Sequence, residues 1–168
     1  MSRTPEPVRT AVAPTDRPSR RALAWRRVIL VIVGIAYGIG LGIVLFWPVH
    51  VDGEGGLIRV DGVIDLLGRL GVPAGVRYPL VQNSLNAALF LPFGLLWAAW
   101  FRRPRAHLAI SAALLAGAAS LAAEIIQYRY LPDRTFDLRD VVANAAGAAL
   151  GALAYAIAAQ VVRQRRRR

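Results

Sequence analysis

A run of twenty residues without a charged side chain limits what this chain can fold into more than any other feature. The run covers residues 28–47 and reads VILVIVGIAYGIGLGIVLFW. A helix rises about 1.5 Å per residue, so this segment matches the roughly 30 Å hydrocarbon core of a bilayer. The run therefore predicts a transmembrane helix.

Three further apolar runs follow, at 80–101, 108–127 and 141–162. Together the four predicted spans use half of the 168 residues, and the intervals between them are too short for a separate soluble domain. The expected fold class is therefore an all-α membrane protein with a four-transmembrane-helix bundle.

Polar segments enclose this bundle at both ends of the chain. The segment 1–27 contains four prolines and seven arginines and shows no apolar period before Ala22, which predicts a disordered tail. The segment 163–168 is a short basic tail with five arginines. We expect one membrane domain, 28–162, between these two tails.

The positions of the arginines predict how the bundle is oriented. If the N-terminus is cytoplasmic, the inner segments hold fifteen of the 21 arginines, and the outer segments, 48–79 and 128–140, hold six. Basic residues accumulate in cytoplasmic loops, so we expect both termini to be cytoplasmic. The net charge of +11 lies in the inner segments, and we interpret the basic tails as binding anionic lipid of the inner leaflet rather than nucleic acid.

The first outer loop contains an apolar pattern with helical spacing. Between residues 57 and 70 the apolar side chains recur on one face, while Asp61, Asp65 and Arg69 fall on another. About fourteen residues are too few to cross a bilayer. The pattern therefore predicts a short amphipathic helix that lies on the outer membrane surface.

Polar side chains within the predicted spans concentrate near the ends that are expected to face outward. Such side chains are costly in lipid, so each needs a partner or a function. Three spans carry them at the same predicted depth, and the short connection 128–140 makes the last two spans antiparallel neighbours. The sequence thus predicts one outward-facing polar pocket. Its candidate residues are Asn83, Asn86, Ser120, Glu124, Gln127, Arg134, Asp137, Asp140 and Asn144.

Several of these residues also have structural explanations. Asp137 stands where it can cap the last helix, and Asp140 there favours the positive end of the helix dipole. Asn86 and Asn144 are typical of hydrogen bonds that join membrane helices. These explanations do not exclude a site.

Glu124 is the polar residue that helix packing explains least. It lies about one turn inside its span, where a carboxylate is neutralised or finds a cation. Arg134 and Arg139, in the segment that follows, are the available cations. A proton acceptor or a ligand for a cation or amine is a role that this position allows.

Proline and glycine are expected to shape the helices. Pro92 cannot donate a backbone hydrogen bond, so it is expected to kink the second span, and Gly94 follows in the same turn. Glycines four residues apart permit close packing of helices. The glycines with this spacing are Gly34, Gly38 and Gly42 in the first span and Gly147 and Gly151 in the fourth.

Two motifs resemble the signatures of the VanZ-like membrane-protein family. The first is NSLNAALFLPFG at 83–94, and the second is SLAAEIIQ at 120–127 followed by RTFDLRDVVANAAG at 134–147. The resemblance covers residues from about 80 to 151. It implies a bacterial integral membrane protein related to one associated with low-level resistance to the glycopeptide teicoplanin.

Three functions are compatible with these observations. The leading hypothesis is a protein of the bacterial cell membrane whose outer pocket binds an envelope component, such as a cell-wall precursor, or a glycopeptide, and contributes to glycopeptide resistance. The first alternative is a membrane-embedded enzyme acting on a lipid-linked or phosphorylated envelope substrate. The second is a small-solute transporter, for which four spans would require a homo-oligomer. The chain has no cysteine and no recognised catalytic or metal motif, so we expect no metal or cofactor and favour a binding protein over an enzyme.

Overall fold

The structure, a computed structural model, describes residues 19–46, 60–101, 106–131 and 136–168. Within these residues the chain forms five α-helices and no strand. The helices are α1 (Arg20–Leu45), α2 (Asp61–Arg69), α3 (Ala74–Phe101), α4 (Ala106–Tyr130) and α5 (Leu138–Arg165).

Four of the helices, α1, α3, α4 and α5, are long and apolar enough to cross a membrane. They contain between 25 and 28 residues, which corresponds to roughly 38 to 42 Å and exceeds a hydrocarbon core of about 30 Å. Each contains all or nearly all of one predicted span. The described part of the chain is therefore all-helical and has four candidate membrane spans, as the sequence predicts.

The start of α1 differs from the prediction that residues 1–27 form a disordered tail. The helix begins at Arg20, and the Ser19 side chain accepts a hydrogen bond from the backbone N–H of Ala22 at 3.2 Å. This N-cap satisfies one of the free donors of the first turn, so the helix begins before the apolar run does. Residues 1–18 of the predicted tail lie outside the described residues.

Helix α2 lies within the segment for which the sequence predicts an amphipathic helix. It contains nine residues and leaves Val63 and Leu66 about half exposed. The chain then turns at Gly71, whose φ of 84° is easily adopted only by glycine. The position of α2 on the membrane surface remains a prediction.

Helix α5 packs against both α3 and α4 and forms the centre of the bundle. Its contact with α3 is a contact between backbones. A Cβ added at Gly147 would lie 2.7 Å from the carbonyl carbon of Ala87, and one at Gly151 would lie 3.0 Å from that of Leu91, whereas ordinary contacts begin at 3.4 Å. Because Ala87 meets Gly147 and Leu91 meets Gly151, α3 and α5 run parallel to each other.

Gly94 makes the corresponding contact from the side of α3. A Cβ there would lie 2.8 Å from the carbonyl carbon of Ala148 and from the backbone nitrogen of Ala152. Small side chains also fill the core around this contact, with one large ring, that of Phe90, among them. The buried core residues are Phe90, Ala98, Ala109, Ala112, Ala116, Ala148 and Ala152.

Helix α1 lies at the edge of the bundle, and none of its residues is buried. None of the described residues lies within 4 Å of the Cβ position at Gly34, Gly38 or Gly42, so these glycines make no close helix contact within the described chain. Side-chain hydrogen bonds attach α1 along its length. They join the Arg26 guanidinium to the Ala99 carbonyl, the Tyr37 hydroxyl to the Leu89 carbonyl at 2.9 Å, and the Gln127 amide to the Leu45 carbonyl.

Helix α3 continues without interruption through Pro79 and Pro92. The Leu89 carbonyl that receives the Tyr37 hydroxyl lies in the turn before Pro92. Because Pro92 has no backbone N–H, one carbonyl in this turn loses its helical hydrogen bond. The Tyr37 hydroxyl of α1 donates to another carbonyl in the same turn. The kink expected at Pro92 remains a prediction.

Candidate functional site

The first turns of α3 and α5 and the last turns of α1 and α4 meet at one end of the bundle, termed the polar end. The Gln82 side chain of α3 donates to Asp140 Oδ1 of α5 at 3.5 Å. The Gln127 side chain near the end of α4 donates to the Leu45 carbonyl at the end of α1. A third hydrogen bond, from the Asn144 side chain of α5 to Ser120 of α4, joins these two pairs of helices, so the polar residues of three predicted spans lie at the same end. Whether this end faces outward remains a prediction from the arginine distribution.

Four polar side chains form a buried group at this end, termed the inner cluster. Spacings of four and three residues place Ser120, Glu124 and Gln127 on one face of α4. Asn144 of α5 lies opposite, so antiparallel packing of α4 on α5 assembles the cluster. The exposed fractions are 1% for Ser120, 8% for Glu124, 5% for Gln127 and 3% for Asn144.

Asn144 joins α5 to α4 within the inner cluster. Its side-chain nitrogen donates to the Ser120 hydroxyl oxygen at 2.8 Å. Its Oδ1 atom is buried and receives no hydrogen bond among the described residues. A buried acceptor without a donor costs about 1–3 kcal/mol. Asn144 therefore joins two helices, which is one of the two roles expected for it. Its Oδ1 atom can still accept a hydrogen bond from a donor group.

Glu124 joins the end of α4 to the start of α5 by a hydrogen bond. Its Oε2 atom accepts a hydrogen bond from the backbone N–H of Asp137 at 3.1 Å. Asp137 is the N-cap residue of α5, and its Oδ1 atom accepts from the backbone N–H of Arg139 at 2.8 Å. The capping role considered for Asp137 is therefore present. Its backbone, rather than its carboxylate, joins it to Glu124.

Gln82 is a residue of the polar end that the sequence reasoning did not select. It contacts Asp140, which is only partly buried. Gln82 lies four residues before Asn86, so both fall on one face of α3, and this spacing is the signal that would have identified it. Asn86 is partly buried on that face.

An open groove of about 400 Å³ lies beside the inner cluster, between α3 and the first turns of α5. Most of its wall is apolar. Its two polar residues are Asn83 and Arg139, and within the described chain neither side chain forms a hydrogen bond or an ion pair. The lining residues are Asn83, Leu138, Arg139, Val142, Ala143 and Ala146.

The structure describes eight of the nine predicted pocket residues and places these eight at the polar end. Four form the inner cluster, Asp137 joins it through its backbone, and Asp140 contacts α3 through Gln82. Asn83 lines the groove instead. Arg134, proposed as a cation partner of Glu124, lies outside the described residues.

The chemistry available at the polar end is hydrogen bonding and charge recognition. In the parts of the chain that the structure describes, no three His, Asp or Glu side chains lie close enough to hold a metal ion. The inner cluster, the groove and the start of α5 supply amides, a hydroxyl, carboxylates and a guanidinium. Such groups recognise polar or anionic molecules, and the apolar groove wall accepts hydrocarbon.

Comparisons with known proteins bear on the family alone. No curated protein and no solved structure matches the chain significantly. A family model described as VanZ/LLP1 matches residues 34–159, which is three quarters of the chain. The match extends from α1 to the last part of α5 and includes both the inner cluster and the groove. The resemblance carried by the sequence motifs is confirmed, and the chain belongs to the VanZ/LLP1 family of membrane proteins.

Proposed function

We propose that this VanZ-like protein is a binding protein of the bacterial cell membrane, and that its polar end faces outward and binds an envelope component or a glycopeptide. A contribution to glycopeptide resistance follows from that binding. The concentration of buried polar side chains at one end of an otherwise apolar bundle carries the proposal. Polar groups in membrane-spanning segments are costly and mark functional sites.

We assign two roles to the residues of the polar end, ligand contact and support of the site. Those of the inner cluster are less than a tenth exposed, and they hold α4, α5 and α1 together. Asp140 and Asn83 are only partly buried, and Asn83 lines the open groove. We therefore assign the ligand contacts to Asp140 and Asn83, and the support of the site to the inner cluster.

Binding accounts for this arrangement better than catalysis does. A general base must come within hydrogen-bonding distance of the substrate proton. Glu124 is 8% exposed, and one of its oxygens already accepts a backbone hydrogen bond. Transport through the bundle itself would need a polar path, whereas alanines and Phe90 fill the core. No contact among the described residues favours an enzyme or a transporter over a binding protein.

Teicoplanin susceptibility of a sensitive bacterial host tests the proposal. The host expresses the full chain, Asp140→Asn, or Asp65→Asn as a matched control. Both substitutions remove one carboxylate, but Asp65 is exposed on α2 and belongs to neither the inner cluster nor the groove. We expect the unaltered chain and Asp65→Asn to raise tolerance, and Asp140→Asn to abolish the increase at equal membrane abundance.

Direct binding separates the two ligand classes. Titration of teicoplanin into the purified chain in nanodiscs yields binding if the glycopeptide itself is the ligand. Tolerance without such binding identifies an envelope component instead. If the unaltered chain gives no tolerance and no binding, or if Asp140→Asn behaves like Asp65→Asn in both assays, the proposal is wrong.

A further inference from the structure

The groove at the polar end has its polar and apolar groups in a definite order along α5. Leu138, Val142 and Ala146 succeed one another at intervals of four residues, so they form one row on the helix surface. This row extends inward over roughly 12 Å from the first turn of α5. Arg139 belongs to that first turn and therefore lies at the mouth of the groove.

Asn83 lies about one turn deeper than Arg139, on the opposite wall. The parallel contact of Ala87 with Gly147 places Asn83 level with Ala143, four residues after Arg139. From the mouth inward, the groove therefore presents a guanidinium, then an amide, then an apolar wall. Neither polar side chain has a partner among the described residues.

This order matches the order of groups in an anionic glycerophospholipid. Such a lipid carries a phosphate at the surface, ester groups just below it and a hydrocarbon chain beneath. Guanidinium groups bind phosphate through charge-assisted hydrogen bonds, and an amide donates to an ester carbonyl. A volume of about 400 Å³ holds the headgroup region and the first part of one chain. A glycopeptide antibiotic is far larger than this groove.

We propose that the groove between α3 and α5 is a binding site for an anionic glycerophospholipid. The phosphate lies at Arg139, the ester region at Asn83, and one chain along Val142 and Ala146. The inference rests on the proposed function, because it names the envelope component bound at the polar end as a membrane lipid. The lipid contacts Asn83, as assigned there, and Arg139 takes the place at the groove mouth, since Asp140 does not line the groove. Loss of the positive charge at the mouth, or filling of the groove, should then prevent binding.

Native mass spectrometry of the full chain in detergent, titrated with phosphatidylglycerol, tests this site. Arg139→Gln should weaken binding roughly tenfold or more, which corresponds to one charge-assisted contact. Arg129→Gln is the matched control, because Arg129 is exposed in the last turn of α4 at the same end and does not line the groove.

A second pair of variants tests the groove without altering charge. Ala146→Phe fills the groove from an exposed position on α5 and should weaken binding by a similar factor. Ala118→Phe is its control on α4: it is exposed and lies at about the same depth, since Ser120 pairs with Asn144 in antiparallel helices. We expect Ala118→Phe to bind phosphatidylglycerol as the unaltered chain does.

Two further probes define the ligand. Phosphatidylcholine, which has no net charge, should bind more weakly than phosphatidylglycerol, and inorganic phosphate at the same concentration should not displace the lipid. Equal affinities for Arg139→Gln and Arg129→Gln, or for Ala146→Phe and Ala118→Phe, overturn the inference, as does displacement by inorganic phosphate. If Asp140→Asn still abolishes glycopeptide tolerance in that event, the proposed function stands and the lipid site alone is wrong.

Discussion

Replacing Gly147 by alanine adds one methyl group where α3 and α5 approach most closely. The new Cβ would lie 2.7 Å from both the carbonyl carbon and the Cα of Ala87, and it would overlap the Ala87 carbonyl oxygen. All three atoms belong to the backbone of α3, so no side-chain rotation relieves the overlap. The two carbon atoms alone require the helices to separate by roughly 0.7 Å, and the closer carbonyl oxygen requires more, which loosens the packing along their interface.

The expected cost combines two opposing effects. Overpacking of a tight interface costs about 1–3 kcal/mol, and we take the upper value because the obstructing atoms are backbone. Alanine regains about 1 kcal/mol of helix propensity over glycine. Gly147→Ala should therefore lower the free energy of unfolding by about 2 kcal/mol.

Gly38→Ala provides the matched control. Gly38 is also a mid-helix glycine of a candidate membrane span, but no described residue lies within 4 Å of its Cβ position. This variant should be neutral or gain up to about 1 kcal/mol. Reversible unfolding of the purified chains in mixed micelles with dodecyl sulfate, followed by tryptophan fluorescence, measures both. Equal stability of Gly147→Ala and Gly38→Ala would refute the backbone contact between α3 and α5.

Three further predictions concern the polar end and the orientation of the bundle. A double-mutant cycle of Ser120→Ala with Asn144→Ala should give a coupling free energy of about 0.6 kcal/mol and at most about 1.7 kcal/mol, as for other hydrogen bonds between membrane helices. Zero coupling would contradict the hydrogen bond between these side chains at 2.8 Å. Gln127→Leu removes the hydrogen bond to the last turn of α1, so amide exchange in that turn should accelerate while exchange in α5 stays unchanged; no change in α1 would disprove the attachment. Since the chain has no cysteine, Val76→Cys and Gln164→Cys can be labelled individually in intact spheroplasts with an impermeant maleimide. Only the first should react, and the reverse pattern would invert the predicted orientation.

The architecture could be predicted from the sequence because each span is a long apolar run. Hydrocarbon length and backbone hydrogen bonding leave an isolated segment of this kind few alternatives to a helix. The sequence also predicted which ends of the helices bring the polar residues together, because short connections make successive spans antiparallel. The start of α1 did not follow, because the Ser19 cap extends the helix into a segment that composition alone marks as a tail.

The arrangement within the polar end could not be predicted in the same way. Helical spacing gives the face of a residue on its own helix, but it does not give the rotation of that helix against its neighbours. Asn83 and Asn86 are only three residues apart, and yet Asn83 lines the groove and Asn86 does not. The parallel contact of α3 with α5 decides this, and α3 and α5 are not consecutive in the chain.

That contact also connects the stability of the bundle with the proposed lipid site. Glycines let α3 and α5 meet backbone to backbone, and backbone atoms cannot rearrange as side chains do. The separation of Asn83 on α3 from Arg139 on α5 is therefore fixed by the same contact that packs the helices. A methyl group at Gly147 should widen the groove as well as destabilise the bundle, whereas loss of the Asn144 hydrogen bond, which joins α5 to α4, should affect stability alone. Lipid affinity should be measured on Gly147→Ala and Asn144→Ala at temperatures where each variant remains folded. Weaker binding by Gly147→Ala alone indicates that the glycine contact shapes the groove, whereas weaker binding by Asn144→Ala indicates that the inner cluster does.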